Sequence, residues 1–405
     1  MFIKKSYINN LIILSLFFSS IIPFFVGCFF DFIIIPLLFI YWILNWYLKK
    51  NINNLQLLIR LFILISILQL IYSIAFSNTS IFLSFGIFSR ISTFLIIIDL
   101  IIINNKFNKI SINFSKSLIY SFVLYIILIS NWAIINNLLS IAPRVGFPLY
   151  GGGIDPHVLG PAMVISFILF CNIFSNPRNF YIDDSSISKI FLIYGSFSTL
   201  ITSILTGSRG SLLIATGYVF FMFIYKFSDD YKIKLKLNTK LYYKNNFLNI
   251  VLISIGSSLI ILILKFSKDI LKIIVRTFSI VDLFTGQDVS RTDVLSRTFD
   301  TITESYNYLL GGEYVRQTWD NGVLFLVNNQ GLIICLLFLL ILYKFLQYSS
   351  KFNKNASSII FSSIIFTVIA SETIFIPRFF IIYLTTIYIL MIPSLIKNKK
   401  ISISQ

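Results

Sequence analysis

Charged side chains are scarce in this chain, at 12 % of the sequence, and the scarcity is lopsided, with 33 Lys and Arg against 16 Asp and Glu. So little charge, beside 57 % hydrophobic residues and a mean hydropathy of +0.87, excludes a water-soluble domain of 405 residues, which would aggregate outside lipid. Cysteine is nearly missing. Cys28, Cys171 and Cys335 are odd in number, each falls in or at an apolar stretch, and none has a partner at metal spacing. Neither a disulfide framework nor a zinc site is expected, and the three read as small apolar fillers. No internal repeat marks an inverted-repeat transporter. The net charge of +17 does not mark a nucleic-acid binder, because the lysines are dispersed rather than gathered on one basic face.

What is abundant is apolar sequence in lengths that cross a bilayer, for which roughly 20 residues are needed. About twelve spans are expected, near 8–27, 29–48, 55–76, 81–103, 117–140, 159–175, 189–206, 211–227, 248–265, 322–343, 357–375 and 378–396. They make one all-α polytopic transmembrane domain over residues 1–405. A single large polar segment, 265–321, is inserted between the ninth and tenth spans. The first stretch follows Lys4 and Lys5 but has no small-x-small cleavage site, so it reads as an uncleaved helix. Lys49, Lys50, Lys106, Lys109, Lys116, the run from Lys226 to Lys244, Lys344, Lys351, Lys354 and Lys397 to Lys400 fall at alternate span ends. By the positive-inside rule those ends and both termini are cytoplasmic. Seven arginines, Arg144, Arg209, Arg276, Arg291, Arg297, Arg316 and Arg378, fall on or near the opposite face. Lysine sets topology there, and arginine is left for a ligand.

Three regions depart from the apolar background. Ile141 to Pro161, IAPRVGFPLYGGGIDPHVLGP, holds four prolines and five glycines and is expected to be a shaped outer loop. It carries Arg144, Asp155 and His157. The two titratable residues are either functional or incidental to a turn-rich connector, whereas the guanidinium of Arg144 suits bidentate contact with phosphate. Leu205 to Leu212, LTGSRGSL, joins two spans with almost no loop. Gly207 and Gly210 let the backbone turn beside Ser208 and Arg209, and the N-terminus of the following helix adds its dipole to the arginine's attraction for an anion. The third region is the long outer segment, with Arg276, Arg291, Arg297, Glu304, Glu313, Arg316 and Asp320, closing on TWDNGVLFLVNNQGLI. A segment that long is seldom mere connection. Asp320 and Asn321 serve either as a helix cap or as chemistry, and a carboxylate at a helix mouth can do both. Arg316 stands four residues before Asp320 and in a helix would pair with it.

Arg90 falls inside the 81–103 span, where an unpaired charge costs roughly 2.5–3.5 kcal/mol on insertion scales. It is expected to meet a carrier phosphate or to pair with Asp99 or Glu372, and Glu372 and Arg378 flank Pro377 closely enough to pair with each other.

The order of these features resembles the O-antigen polymerase and O-antigen ligase superfamily of bacterial inner membranes. It comprises a Pro/Gly-rich outer loop, a T-G-S-R-G junction and a large outer loop closing on D-N-x-x-L-x-x-L before a glycine. The resemblance covers about Arg144 to Gly331. It implies a membrane-embedded, GT-C-like inverting glycosyltransferase, independent of metal and cofactor, acting on undecaprenyl-diphosphate-linked oligosaccharide as donor and acceptor at the periplasmic face. Partners so implied are the lipid bilayer and a chain-length regulator in the same membrane. The residues carried over are Asp320 or His157 as base, Arg209 with Arg297 or Arg291 on the diphosphate, and Arg144 and Arg316 in support. Gly207, Ser208 and Gly210 shape the junction, and Arg90, Arg276, Glu313, Asn321 and Arg378 are further candidates. The ligase branch usually places a histidine where this chain has Asp320, so the polymerase branch is favoured. A ligase moving glycan onto lipid A core and a lipid-linked oligosaccharide flippase are the alternatives.

Overall fold

The computed structural model describes residues 39–40, 42–43, 53–76, 81–107, 112–139, 146–148, 154–180, 182, 185–234, 322–369 and 372–403. Their order is α1 (Asn54–Phe76), α2 (Ile81–Phe107), α3 (Ile112–Leu139), β1 (Phe147–Pro148), β2 (Ile154–Asp155), α4 (Pro156–Ser175), α5 (Ser186–Leu205), α6 (Arg209–Lys234), α7 (Gly322–Ser350), α8 (Lys354–Ile369) and α9 (Pro377–Ile403). Short 3-10 turns cover Pro177–Phe180 and Glu372–Phe375, and β1 pairs antiparallel with β2, Phe147 opposite Asp155.

Seven of these helices are long and apolar enough to cross a membrane, with windows at Asn54–Tyr72, Ser84–Ile102, Ser115–Ile135, Pro156–Ser175, Ser188–Leu205, Asn329–Ser350 and Phe379–Ile396. The shorter apolar stretch Gly210–Ile224 lies in α6. The spans expected at 8–27 and 248–265, most of 29–48, and the 265–321 segment lie outside the described residues.

Local chemistry explains where the helices begin. Pro156 and Pro377 open α4 and α9, at the position where a missing N–H costs nothing. Ser185 caps α5 by accepting from the Ser188 N–H at 3.2 Å. Asn353 caps α8 through its Oδ1, which accepts from the N–H groups of Asn355 and Ala356 at 2.8 and 3.2 Å.

Three boundaries differ from the sequence expectation. The Pro/Gly-rich loop does not run to Pro161, because α4 already starts at Pro156. Pro161 is tolerated so near the start because it forfeits only one of the earliest intrahelical bonds. The span expected at 357–375 ends at Ile369, and its remainder is the separate turn Glu372–Phe375. The span expected at 322–343 is not straight. Gly331 takes φ 82° and ψ 163°, a conformation open essentially to glycine alone, and breaks α7 in two.

After that break the first half of α7 doubles back on the second. The Cys335 thiol meets the Val323 carbonyl at 3.9 Å, whereas twelve residues of straight helix rise about 18 Å. The Phe375 ring touches both Phe325 at 5.4 Å and Phe338 at 5.2 Å, which holds the hairpin closed.

The core is built around α9. From Phe379 to Ile392 every residue except Thr385 is buried, as expected of a helix apolar on all sides and enclosed by others. Tyr383 stacks between Phe94 at 6.2 Å and Phe379 at 5.9 Å, and Phe94 also meets Phe338 and Phe380. Peripheral helices instead present apolar stripes outward, such as Leu57, Leu61, Leu64, Leu68 and Ile71 on α1, and Tyr120, Leu124, Leu128, Trp132 and Ile135 on α3. Stripes of that length at helical spacing are tolerable only against lipid.

Candidate functional site

The α5–α6 junction is the turn that Gly207 foretells, whereas Gly210, also expected to turn the backbone, lies inside α6. Thr206 ends α5, Gly207 takes φ 56°, and α6 begins at Arg209. The Gly207 N–H donates to the Ile204 carbonyl at 3.0 Å, and the Ser208 N–H to Thr206 Oγ1 at 3.3 Å. The first turn of α6 closes with the Ser211 N–H on the Ser208 carbonyl at 3.1 Å.

This junction is wedged between two other helices. A Cβ placed on Gly160 of α4 would lie 2.4 Å from Ser211 Oγ, 2.5 Å from Thr206 Oγ1 and 2.8 Å from Ser208 Cβ. A Cβ on Gly210 would lie 2.4 Å from the Phe366 ring of α8 and 3.2 Å from Pro161. Gly207, Ser208 and Gly210 are buried as a result. Their smallness lets three backbones approach, the device by which membrane helices associate tightly.

The same contacts locate the candidate base. His157 is exposed in the first turn of α4, three residues before Gly160 and so on the same helical face. The contact between Gly160 and the junction therefore places His157 and the start of α6 at Arg209 at one end of the bundle. Contacts extend that end sideways. Phe366, against Gly210, meets Phe379 at 6.3 Å near the start of α9, where Arg378 is the second residue. Asp155, adjacent to α4, lies in the small β pairing.

Two of the three sequence regions thus come together. Arg144, Arg276, Arg291, Arg297, Glu313, Arg316, Asp320 and Asn321 lie outside the described residues.

Asp99 is not the partner of Arg90. Nine residues separate them on α2, about 13.5 Å of rise. Instead the Asp99 carboxylate accepts from Trp42 Nε1 at 2.6 Å and Gln56 Nε2 at 2.8 Å, and Arg60 Nε stands 3.9 Å away. Arg60 and Asp99 are 4 % and 0 % exposed, so both charges depend on this cluster. The pairing was open to inspection of the sequence. Arg60 is six residues from the start of α1 and Asp99 eight from the end of α2, which brings opposite charges to matching depth on antiparallel neighbours.

A second polar cluster ties α4, α6 and α8. Tyr218 donates to Asn355 Oδ1 at 2.9 Å, Asn355 donates in turn to Asn172 Oδ1, and Asn172 donates to the Ile168 carbonyl at 2.8 Å. Each polar group is met by the next, as an apolar surrounding requires.

No family model matches this chain, and neither does any curated protein or solved structure.

Proposed function

We propose that the chain is an O-antigen polymerase of the bacterial inner membrane, with its site at the periplasmic end. The acceptor sugar's hydroxyl oxygen forms a bond to the anomeric carbon of a lipid-linked glycan. The bond from that carbon to the diphosphate oxygen breaks, and undecaprenyl diphosphate leaves with the bonding electrons. A base takes the hydroxyl proton, and cations hold the charge developing on the diphosphate. In this reading Asp320, or His157 in its place, is the base. Arg209 leads the diphosphate contacts, with Arg297 or Arg291 opposite and Arg144 and Arg316 in support, so that guanidinium groups do the work a divalent metal does elsewhere.

The observation that carries the proposal is the seating of Gly160 on the T-G-S-R-G junction, which sets His157 and Arg209 on one end of a bundle of apolar helices. A candidate base and the start of a cation-bearing helix at one membrane boundary are what transfer from a lipid-borne diphosphate requires. The lysine distribution supports the assignment of that end to the periplasm.

Deleting the gene from a strain with smooth lipopolysaccharide tests this directly. Core carrying one repeat unit is the expected result. Bare core with polymer retained on the carrier identifies a ligase instead, and bare core with single units trapped inside identifies a flippase. Arg209→Ala is expected to give the one-repeat phenotype with normal membrane insertion, and a wild-type ladder removes Arg209 from the mechanism.

A further inference from the structure

The end of α5 carries buried hydroxyls at four-residue spacing, Ser198, Thr202 and, at the C-cap, Thr206. Residues so spaced share one helical face. The first two fasten α5 to α3. Ser198 Oγ and Ser130 Oγ stand 3.0 Å apart, and Thr202 Oγ1 shares its proton between the Ser130 carbonyl at 3.2 Å and the Ser198 carbonyl at 2.8 Å. The turn into α6 therefore starts from a fixed base.

Thr206 puts the same group to another use. Its hydroxyl donates to the Ser203 carbonyl at 2.7 Å, which leaves the oxygen's lone pairs to accept, and the Ser208 N–H meets one of them at 3.3 Å. That bond spans Gly207, at φ 56°, and ends one residue before α6 begins. Glycine is permissive, so Gly207 alone allows the turn without fixing it. A threonine oxygen that accepts from the N–H two residues on selects one turn among those allowed. The same oxygen has α4 against it, since a Cβ on Gly160 would lie 2.5 Å away. Thr206 is 0 % exposed, so water does not compete for these contacts. One oxygen thus sets both the backbone that carries Arg209 and the seat of the helix that carries His157.

We propose that Thr206 is a positioning residue for a polyprenyl-linked diphosphate, acting through the backbone of Arg209 and not on the ligand itself. The inference rests on the reading of Arg209 as the leading diphosphate contact. Without the Thr206 oxygen, the buried Ser208 N–H loses its acceptor, Gly207 is released to other turns, and the start of α6 is no longer fixed. Affinity for the diphosphate then falls. The oxygen is the atom that matters, and the methyl group beside it is dispensable.

Native mass spectrometry of the full chain in non-ionic detergent, titrated with undecaprenyl diphosphate, tests it. Arg209→Ala and Thr206→Val are each expected to weaken binding about tenfold or more, and Thr206→Ser to bind as the wild type does. Thr206→Ala removes the oxygen without crowding Gly160 and is expected to match Thr206→Val. Thr206→Val combined with Arg209→Ala is expected to bind no more weakly than Arg209→Ala alone. Action through Arg209 requires that equality, because independent groups weaken binding by the product of their separate factors. A combined loss equal to that product overturns the positioning role and leaves the Arg209 reading in place. So does wild-type affinity in Thr206→Val and Thr206→Ala, or a loss in Thr206→Ser as large as in Thr206→Val. Undiminished binding in Arg209→Ala removes both.

Discussion

The Val323 carbonyl oxygen lies 3.9 Å from Sγ of Cys335, although twelve residues separate the two in α7. That proximity requires the fold-back at Gly331 and makes it measurable. In a chain carrying Val323→Cys, with Cys28→Ala and Cys171→Ala, the new thiol and Cys335 are expected to be joined by a short methanethiosulfonate cross-linker, with loss of both from maleimide labelling. Adding Gly331→Leu, which disfavours the φ 82° turn by about 1–3 kcal/mol, is expected to reduce the yield sharply. Persistent labelling of both thiols without the Gly331 change sinks the hairpin.

Gly160 is expected to tolerate no side chain. Alanine there meets Ser211 Oγ at 2.4 Å and the Ser208 Cβ at 2.8 Å, and overpacking of this kind costs about 1–3 kcal/mol. Gly160→Ala is expected to lower the thermal midpoint in detergent, and Gly160→Val to lower it further. Pairing Gly160→Ala with Ser211→Gly is expected to recover part of the loss. A midpoint unchanged by Gly160→Val speaks against the wedge.

Breaking the Asp99 cluster from one side is expected to cost more than removing it. Asp99→Leu leaves Arg60 at 4 % exposure with its carboxylate gone, a loss of about 3–5 kcal/mol for buried pairs of this kind. Arg60→Leu combined with Asp99→Leu is expected to be more stable than either single change. Additive losses in urea or thermal unfolding would show that the two charges do not depend on each other.

In the polymerase proposed above, two substitutions read as lipopolysaccharide chain length decide between the candidate bases. Asp320→Asn is expected to shorten the ladder to one repeat while His157→Ala leaves it intact. The reverse pattern moves the base to the exposed histidine on the first turn of α4.

Among the described residues, the seven helices long and apolar enough to cross a membrane were legible in the chain because apolar runs of about 20 residues have few other structural outlets. The α5–α6 turn was legible for the same kind of reason, since Gly207 supplies the positive φ that so short a connection needs. The break at Gly331 was not. The apolar pattern runs straight through it, and one glycine in a membrane segment does not by itself signal a reversal. The opening of α4 was read too late because four prolines in one stretch suggested loop throughout, while two of them, Pro156 and Pro161, sit where a helix can carry them. Of the site, residue types and order were visible, but the meeting of Gly160 with Ser208 and Ser211 is a tertiary contact between distant segments that no local pattern announces. Asp99 is one of two carboxylates the sequence offers Arg90 as an alternative to a carrier phosphate, and the pairing with Arg60 escapes that reading because it joins antiparallel neighbours at equal depth.

The position of α9 sets an order of events during synthesis. It is made after every other described helix, yet its Tyr383 and Phe379 fill the middle of the packing. Helices inserted earlier must wait side by side in the bilayer with an unfilled centre. The ribosome's late delivery of one segment, rather than any pairing among the first, then becomes the event that locks the assembly.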